Sequence, residues 1–510
     1  MRKLWVPAWL LLLVPIMGAA LFYLSDDPFD FTFAAGLWLL IGGTLLCAFA
    51  LAVALARTRW RGVRVLGWVC AAFVVLVAAA VATLAFDYRL LLFPRVVSKE
   101  DWRRDLRFVA ETIENRHPAP FARMSRNDFV REVGNIERDL EGKTDAQIIM
   151  QLVKLGAMLQ DGHSTLFPFQ PATGFHMYPL QLYYFDDGLY VTQTAAPYRM
   201  LVGQRVVRIG DRTVEEASAL LRTFVGADNE WTVKDRIQHY LLCPEVLQSQ
   251  GIIGQLDGAT FTFGDDSGQE TALKLEPVGF LKYFYWYFRP LAEWKRKPRE
   301  SDLPLYRRRQ GENYWFEYLD SSRTLYMAFN QVRDESGESF DNFGSRVLDL
   351  CRERGCERLV IDVRNNSGGD NYLFREFVEK LSRSDVNRRG KLFTLIGRHT
   401  FSAAVNFVSM MERRTETLFV GEPTGAGPNH YGDTRRYLLP GSRAFLFVST
   451  LCHEWSEPGD TRRAHEPNLG VALTHTDYFA GRDPVLNAAL NYRPRPHGAS
   501  QKSVDQFRGR

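Results

Sequence analysis

The chain has 510 residues, a net charge of +4 and a composition 46% apolar and 13% aromatic, which suits a folded protein of two or three domains and excludes a disordered one. No lysine- or arginine-rich tract interleaves with aromatic residues, so nucleic-acid binding has no support. Six scattered cysteines without a C-x-x-C pair point to neither a zinc ribbon nor a dense disulfide framework.

Three uncharged runs open the chain, at 4–25, 31–56 and 65–86. Each is long enough to cross a hydrocarbon core of about 30 Å as a helix, so residues 1–90 are expected to form a membrane domain. The loop "SDDPFD" is acidic, whereas Arg2, Lys3 and the loop with Arg57, Arg59, Arg61 and Arg64 are basic. Basic loops stay in the cytoplasm. Three spans then put everything beyond Asp87 on the far side of the inner membrane, in the periplasm of a Gram-negative cell.

Residues 91–170 read as helical. Apolar spacing predicts helices over 102–115 and 126–140, and a third opening at "TDAQ" with Thr144 and Gln147 as a capping box. That helix ends at "QDGHSTLFP", where Gly162 suits a left-handed position and His163 falls on the turn. Residues 171–280 alternate as strands, including a hairpin at "ATFTFGDDSGQETALKLEP". An aperiodic connector follows at 281–313. From 314 to 495, strands such as "RLVIDV" and "KLFTLIG" alternate with helices, the pattern of an α/β layered sheet. Residues 496–510 read as a polar tail.

The sequence contains no H-E-x-x-H, P-loop, strand-linked G-x-G-x-x-G or G-x-S-x-G, so metal, nucleotide cofactor and ordinary α/β-hydrolase chemistry lack support. What remains is Ser402, between an apolar strand and the first turn of a helix, and the pair Gly368–Gly369 after another strand. Serine is a preferred helix N-cap. The same position places it beside unpaired helix N–H groups, which suit a developing oxyanion.

Three segments in one order resemble the tail-specific, C-terminal-processing protease family, whose members include the tricorn core: "AMLQDGHSTLFP", "LVIDVRNNSGGDN" and "GRHTFSAAVNF…LFVGEPTGAG". The resemblance implies a ClpP/crotonase-like core with a helical N-terminal part and a PDZ-like β module at 171–280. It implies Ser402 as nucleophile and His163 as general base. Ala403 and either Gly368 or Gly369 would supply the oxyanion N–H groups, and Asp460 or Glu466 the acid that orients the histidine. Many members carry a lysine where Gly427 stands here, so a serine–lysine dyad is not expected. His399 is the rival base, and His430 and Asn429 are expected to line the cleft. The implied activity is a membrane-anchored serine peptidase acting on peptides or unfolded periplasmic proteins, without cofactor. A non-catalytic binding protein on the same fold and a small-ester hydrolase are the alternatives.

Overall fold

The computed structural model describes residues 96–288 and 302–494, with short pieces between residues 48 and 75. The expected span at 4–25, nearly all of that at 31–56, most of that at 65–86, and the tail at 496–510 lie outside the described residues. Among those described, no helix is long and apolar enough to cross a membrane.

Helix α1 (Lys99–Arg116) opens on a capping box of Ser98 and Asp101. Helix α2 (Arg126–Asp139) is capped by Ser125, and α3 (Asp145–Ala157) by the predicted Thr144–Gln147 box. Ile148, Ile149, Leu152 and Leu155 on α3 are buried, which is the stripe its spacing predicts. The turn after α3 departs from expectation. Gln160, not Gly162, takes the left-handed conformation, with φ 51°. Gly162 serves close approach instead: a Cβ there would lie 2.7 Å from Asp228 Oδ2 and 2.9 Å from Phe401 Cζ. A short strand, β1 (Thr165–Leu166), follows.

The next unit is an antiparallel sheet. Its strands β2 (Leu180–Phe185), β3 (Gly188–Thr194), β4 (Arg205–Ile209), β5 (Ala259–Gly264) and β6 (Glu270–Leu275) lie in that order. Helices α4 (Val214–Leu221) and α5 (Glu230–Tyr240) interrupt it between β4 and β5. Helix α5 has a weak apolar period and a single clear start signal, Asn229, whose side chain accepts from Thr232 N–H.

The third unit begins with the hairpin β7 (Tyr314–Leu319) and β8 (Thr324–Phe329). Helix and strand then alternate through α6 (Phe340–Glu353), β9 (Arg358–Asp362), α7 (Arg375–Ser382), β10 (Leu392–Ile396), α8 (Ala403–Arg414) and β11 (Leu418–Gly421). Four short strands follow: β12 (Asn429–Gly432), β13 (Arg435–Leu438), β14 (Phe445–Val448) and β15 (Leu451–Glu454). Strand β16 (Leu469–Gly470) and helix α9 (Pro484–Leu490) end the unit. The main sheet runs β7-β8-β9-β10-β11-β16 and is parallel from β8 onward. Strands β8, β10 and β11 are buried at every residue, as expected when both faces are covered. Helices α6, α7 and α8 pack on one face and α9 on the other. The molecule is thus a mixed α/β fold with several sheets.

These units interlock. β14 pairs with β1, Thr165 facing Phe447. Asp105 of α1, fully buried, accepts hydrogen bonds from the Gly441 and Ser442 N–H groups at 2.6 and 2.7 Å. Cys351 and Cys356 are buried and free.

Candidate active site

Ser402 stands at the first boundary of α8, but it does not cap the helix. Its side chain accepts no cap hydrogen bond, and its backbone lies at φ 54°, ψ −129°. An N-cap serine needs the extended region to turn its oxygen onto the N2 or N3 amide. A non-glycine residue in the conformation found here costs on the order of 1–3 kcal/mol and persists only where its surroundings over-determine it. They do so here. The Thr400 hydroxyl donates to the Val363 carbonyl (2.9 Å) and accepts from Gly397 N–H (3.1 Å). Phe401 N–H donates to the Asn366 carbonyl at 3.1 Å, and Gly425 N–H to the Thr400 carbonyl at 3.0 Å. The Ser402 hydroxyl is left without a hydrogen-bond partner among the described residues, at the positive end of α8.

The glycine pair is pressed against this turn. Gly368 and Gly369 have φ of 111° and 143°, values that favour glycine. A Cβ on Gly368 would sit 2.7 Å from Ser402 Cβ and 2.9 Å from Ala403 N. One on Gly369 would collide with the Val332 carbonyl. The two amides are not equivalent. Gly368 N–H already donates to Asn366 Oδ1 at 2.9 Å, which removes it as an oxyanion donor. Gly369 N–H and Ala403 N–H meet no acceptor among the described residues. Asp362 and Arg364 fix the turn that carries the pair: Arg364 forks onto Asp362 and onto Asp483, and the Tyr326 hydroxyl donates to Asp362 at 2.7 Å.

His163 lies against the residue that precedes the serine. Its ring stacks on Phe401, centroids 4.3 Å apart, and on His430 at 5.7 Å. Both of its ring nitrogens are buried without a hydrogen-bond partner among the described residues. His163 thus packs on the residue adjacent to Ser402 and shares no hydrogen bond with the serine among the described residues. Burial pushes the His163 imidazole down to about 4, although the charge on Asp161 pulls the other way. The ring is neutral at pH 7 and has a lone pair to give.

The acid beside this ring is Asp161, which no motif in the sequence singles out for that role. Asp161 Oδ1 lies 3.8 Å from His163 Nδ1 and accepts the His163 backbone N–H at 2.9 Å. Asp161 is fully buried. Burial alone would raise its carboxyl, but His117, the charge of His163, and Ser164 and Ser449 outweigh that and hold it well below the usual range. Neither predicted acid reaches His163. Asp460 is bound to Arg462 and to the Ser456 hydroxyl, and Arg462 holds its carboxyl low. Glu466 is exposed. Its neighbour His465 turns inward and bonds the Ser409 Oγ at 2.8 Å. Ser409 spends its proton on the Val405 carbonyl, and both residues are fully buried, so that pair braces α8 and is closed to substrate.

The remaining predicted residues fall around the site. At Gly427 any Cβ would collide with the Arg462 carbonyl, so the turn has no room for a lysine. His430 binds the Gly427 carbonyl through Nδ1 at 3.0 Å, and its Nε2 is buried without a partner among the described residues. The Asn429 amide donates to the Glu457 and Asp460 carbonyls. His399 points elsewhere, to Asp235 Oδ2 at 3.3 Å. It lines a cleft of about 800 Å³ between β2, α5 and the carboxyl ends of β9 and β10, with Tyr183, Arg307, Arg364 and Arg398. Ser402 and His163 do not line that cleft. Asp235 more than offsets the effect of burial and keeps His399 above its ordinary value.

No family model matches this chain, and no curated protein does. Solved structures do. The mature form of CPAF superposes with a TM-score of 0.56 at 13% identity, covering 77% of this chain and 96% of that one. A CPAF mutant gives 0.54 at 12%, covering 78% and 99%. Mature CPAF complexed with lactacystin gives 0.53 at 13%, covering 75% and 96%. At this identity the likeness is one of fold, and it extends over nearly the whole of the CPAF chain.

Proposed function

We propose that this protein is a serine peptidase of the tail-specific type, with Ser402 as nucleophile and His163 as general base. The observation that carries this reading is Ser402 itself. A strained, fully pinned backbone presents an unspent hydroxyl at a helix N-terminus, with the free N–H groups of Ala403 and Gly369 as candidate oxyanion donors. In the reaction, neutral His163 takes the hydroxyl proton as Ser402 attacks a peptide carbonyl, then returns it to the leaving amine; water releases the acyl-enzyme. Hydrogen bonds of this kind tighten in the substrate complex. Asp161, held by its buried partners, positions the imidazole in place of Asp460 or Glu466. The antiparallel unit of β2 to β6 is the PDZ-like module that holds an extended peptide by strand addition, and the parallel sheet is the ClpP/crotonase-like core. The uncharged runs at 4–25, 31–56 and 65–86 support an inner-membrane anchor with the peptidase on the periplasmic side.

A quenched-fluorescence peptide library tests the activity. Cleavage is expected from the purified chain, with Ser402→Ala abolishing it and His163→Ala lowering it by about 10³-fold or more. Equal cleavage by Ser402→Ala refutes the reading. A second reading, a non-catalytic peptide-binding protein, is favoured by the absence of a Ser402–His163 hydrogen bond. It predicts saturable peptide binding with no turnover and no effect of Ser402→Ala.

A further inference from the structure

Asp161, His163 and Asp228 each bring one ligand atom to within 4.8 Å of the others. No sequence spacing announces this group, because Asp228 arrives from the loop before α5. The carboxylates are 0% and 1% exposed. With them stands the imidazole of His163, whose two nitrogens are buried without a hydrogen-bond partner among the described residues. Buried polar atoms are ordinarily paired, and two buried carboxylates beside each other repel. A cation answers both conditions at once.

We propose that Asp161, His163 and Asp228 form a binding site for a divalent transition-metal ion, and that occupation ties up the imidazole of His163. One nitrogen and two carboxylate oxygens, with water in a fourth position, suit zinc(II); magnesium and calcium prefer six or more oxygen ligands. The carboxylates are already aimed by outer partners. Asp161 is held by His117, Ser164 and Ser449, and Asp228 Oδ2 accepts Gly162 N–H at 2.9 Å. Such outer bonds fix ligands in metal centres. Two cations stand close: Arg123 reaches Asp228 Oδ1 at 3.2 Å and the Gln160 carbonyl, and Arg236 holds the Gly162 carbonyl at 2.7 Å; a bound ion displaces Arg123 from Asp228. A bound ion removes the lone pair that would accept the Ser402 proton, so the metal is an off-switch. That consequence rests on the peptidase reading, whereas the metal site does not.

Calorimetric titration of the full chain in detergent with zinc(II) alone, and with magnesium as control, tests the site. One zinc per chain is expected, with no magnesium heat. Asp228→Asn should weaken zinc by more than about a hundredfold, and His163→Ala likewise, each with a melting curve to show a folded sample. Arg123→Gln should tighten it. Absence of a stoichiometric zinc heat, or zinc affinity unchanged in both Asp228→Asn and His163→Ala, overturns the site. The readout needs no catalysis, so it stands apart from the test of the peptidase. For the off-switch, zinc should slow fluorophosphonate labelling of Ser402 at least tenfold and a chelator restore it; unchanged labelling of zinc-loaded chain overturns that consequence.

Discussion

His163 shows how much one side chain's surroundings decide. Its imidazole is pushed down to about 4 by burial, with Asp161 only partly opposing. A general base works unprotonated, so its rate is lost as pH falls through the pKa of the free enzyme. The reaction of Ser402 should therefore hold its rate from neutral pH to about pH 5 and fall away through about pH 4, rather than near the ordinary histidine value of about 6.5. Asp161→Asn removes the charge that favours the imidazolium, so its acid limb should move lower still while the rate at neutral pH drops. A pH–rate series of inhibitor labelling reads both, and an acid limb near pH 6.5 in the parent chain contradicts the assignment. This residue was legible in "QDGHS" only as a histidine on a turn. Its acid partner is two residues away, and nothing in a D-x-H spacing says which way either side chain points. Asp460 and Glu466 looked equally good because sequence order carries no distance. The salt bridge from Arg462 that removes Asp460 is visible only in three dimensions.

At the scale of elements, the periodic and capped segments were the readable ones. The Thr144–Gln147 box starts α3 where predicted, and the continuously apolar runs became the buried parallel strands β9 and β10. Helix α5 was missed because its apolar period is weak, and only its Asn229 cap marks it. The turns were read by residue type, and there steric context wins. Gly162 and Gly427 are glycines because other groups press on them, not because the backbone needs φ > 0. This yields a direct expectation for the turn at Gly427. Restoring a lysine with Gly427→Lys should not create a serine–lysine dyad. It should destabilise the fold by at least about 1–3 kcal/mol, the cost of overpacking, as would Gly427→Ala. Urea denaturation measures it, and a variant as stable as the parent would show that the turn has room after all.

Across the whole molecule, the site exists because separate units are tied at a few polar points. Ser402, Ala403 and Gly369 belong to the parallel-sheet unit, His163 and Asp161 to the helical part, and Asp228 to the loop entering α5. Asn229 is one such tie. It caps α5 through Thr232 N–H at 2.9 Å and its amide donates to the Thr424 and Arg463 carbonyls at 3.0 and 2.6 Å. Thr232 adds a bond to the Gly425 carbonyl. Asn229→Ala should cost about 2–4 kcal/mol, from a lost cap and two carbonyls left unpaired, and chemical denaturation should show it. A loss below about 0.5 kcal/mol would mean the units do not depend on this tie.

Ser402 is proposed as a nucleophile served by His163. The most direct test of that role is covalent: the full chain is treated with a fluorophosphonate and the modified peptide is mapped by mass spectrometry. One adduct is expected, on Ser402, absent in Ser402→Ala and formed at least a hundredfold more slowly in His163→Ala. A folded, metal-free sample that takes up no label, or one labelled at another serine while Ser402 stays unmodified, would contradict it.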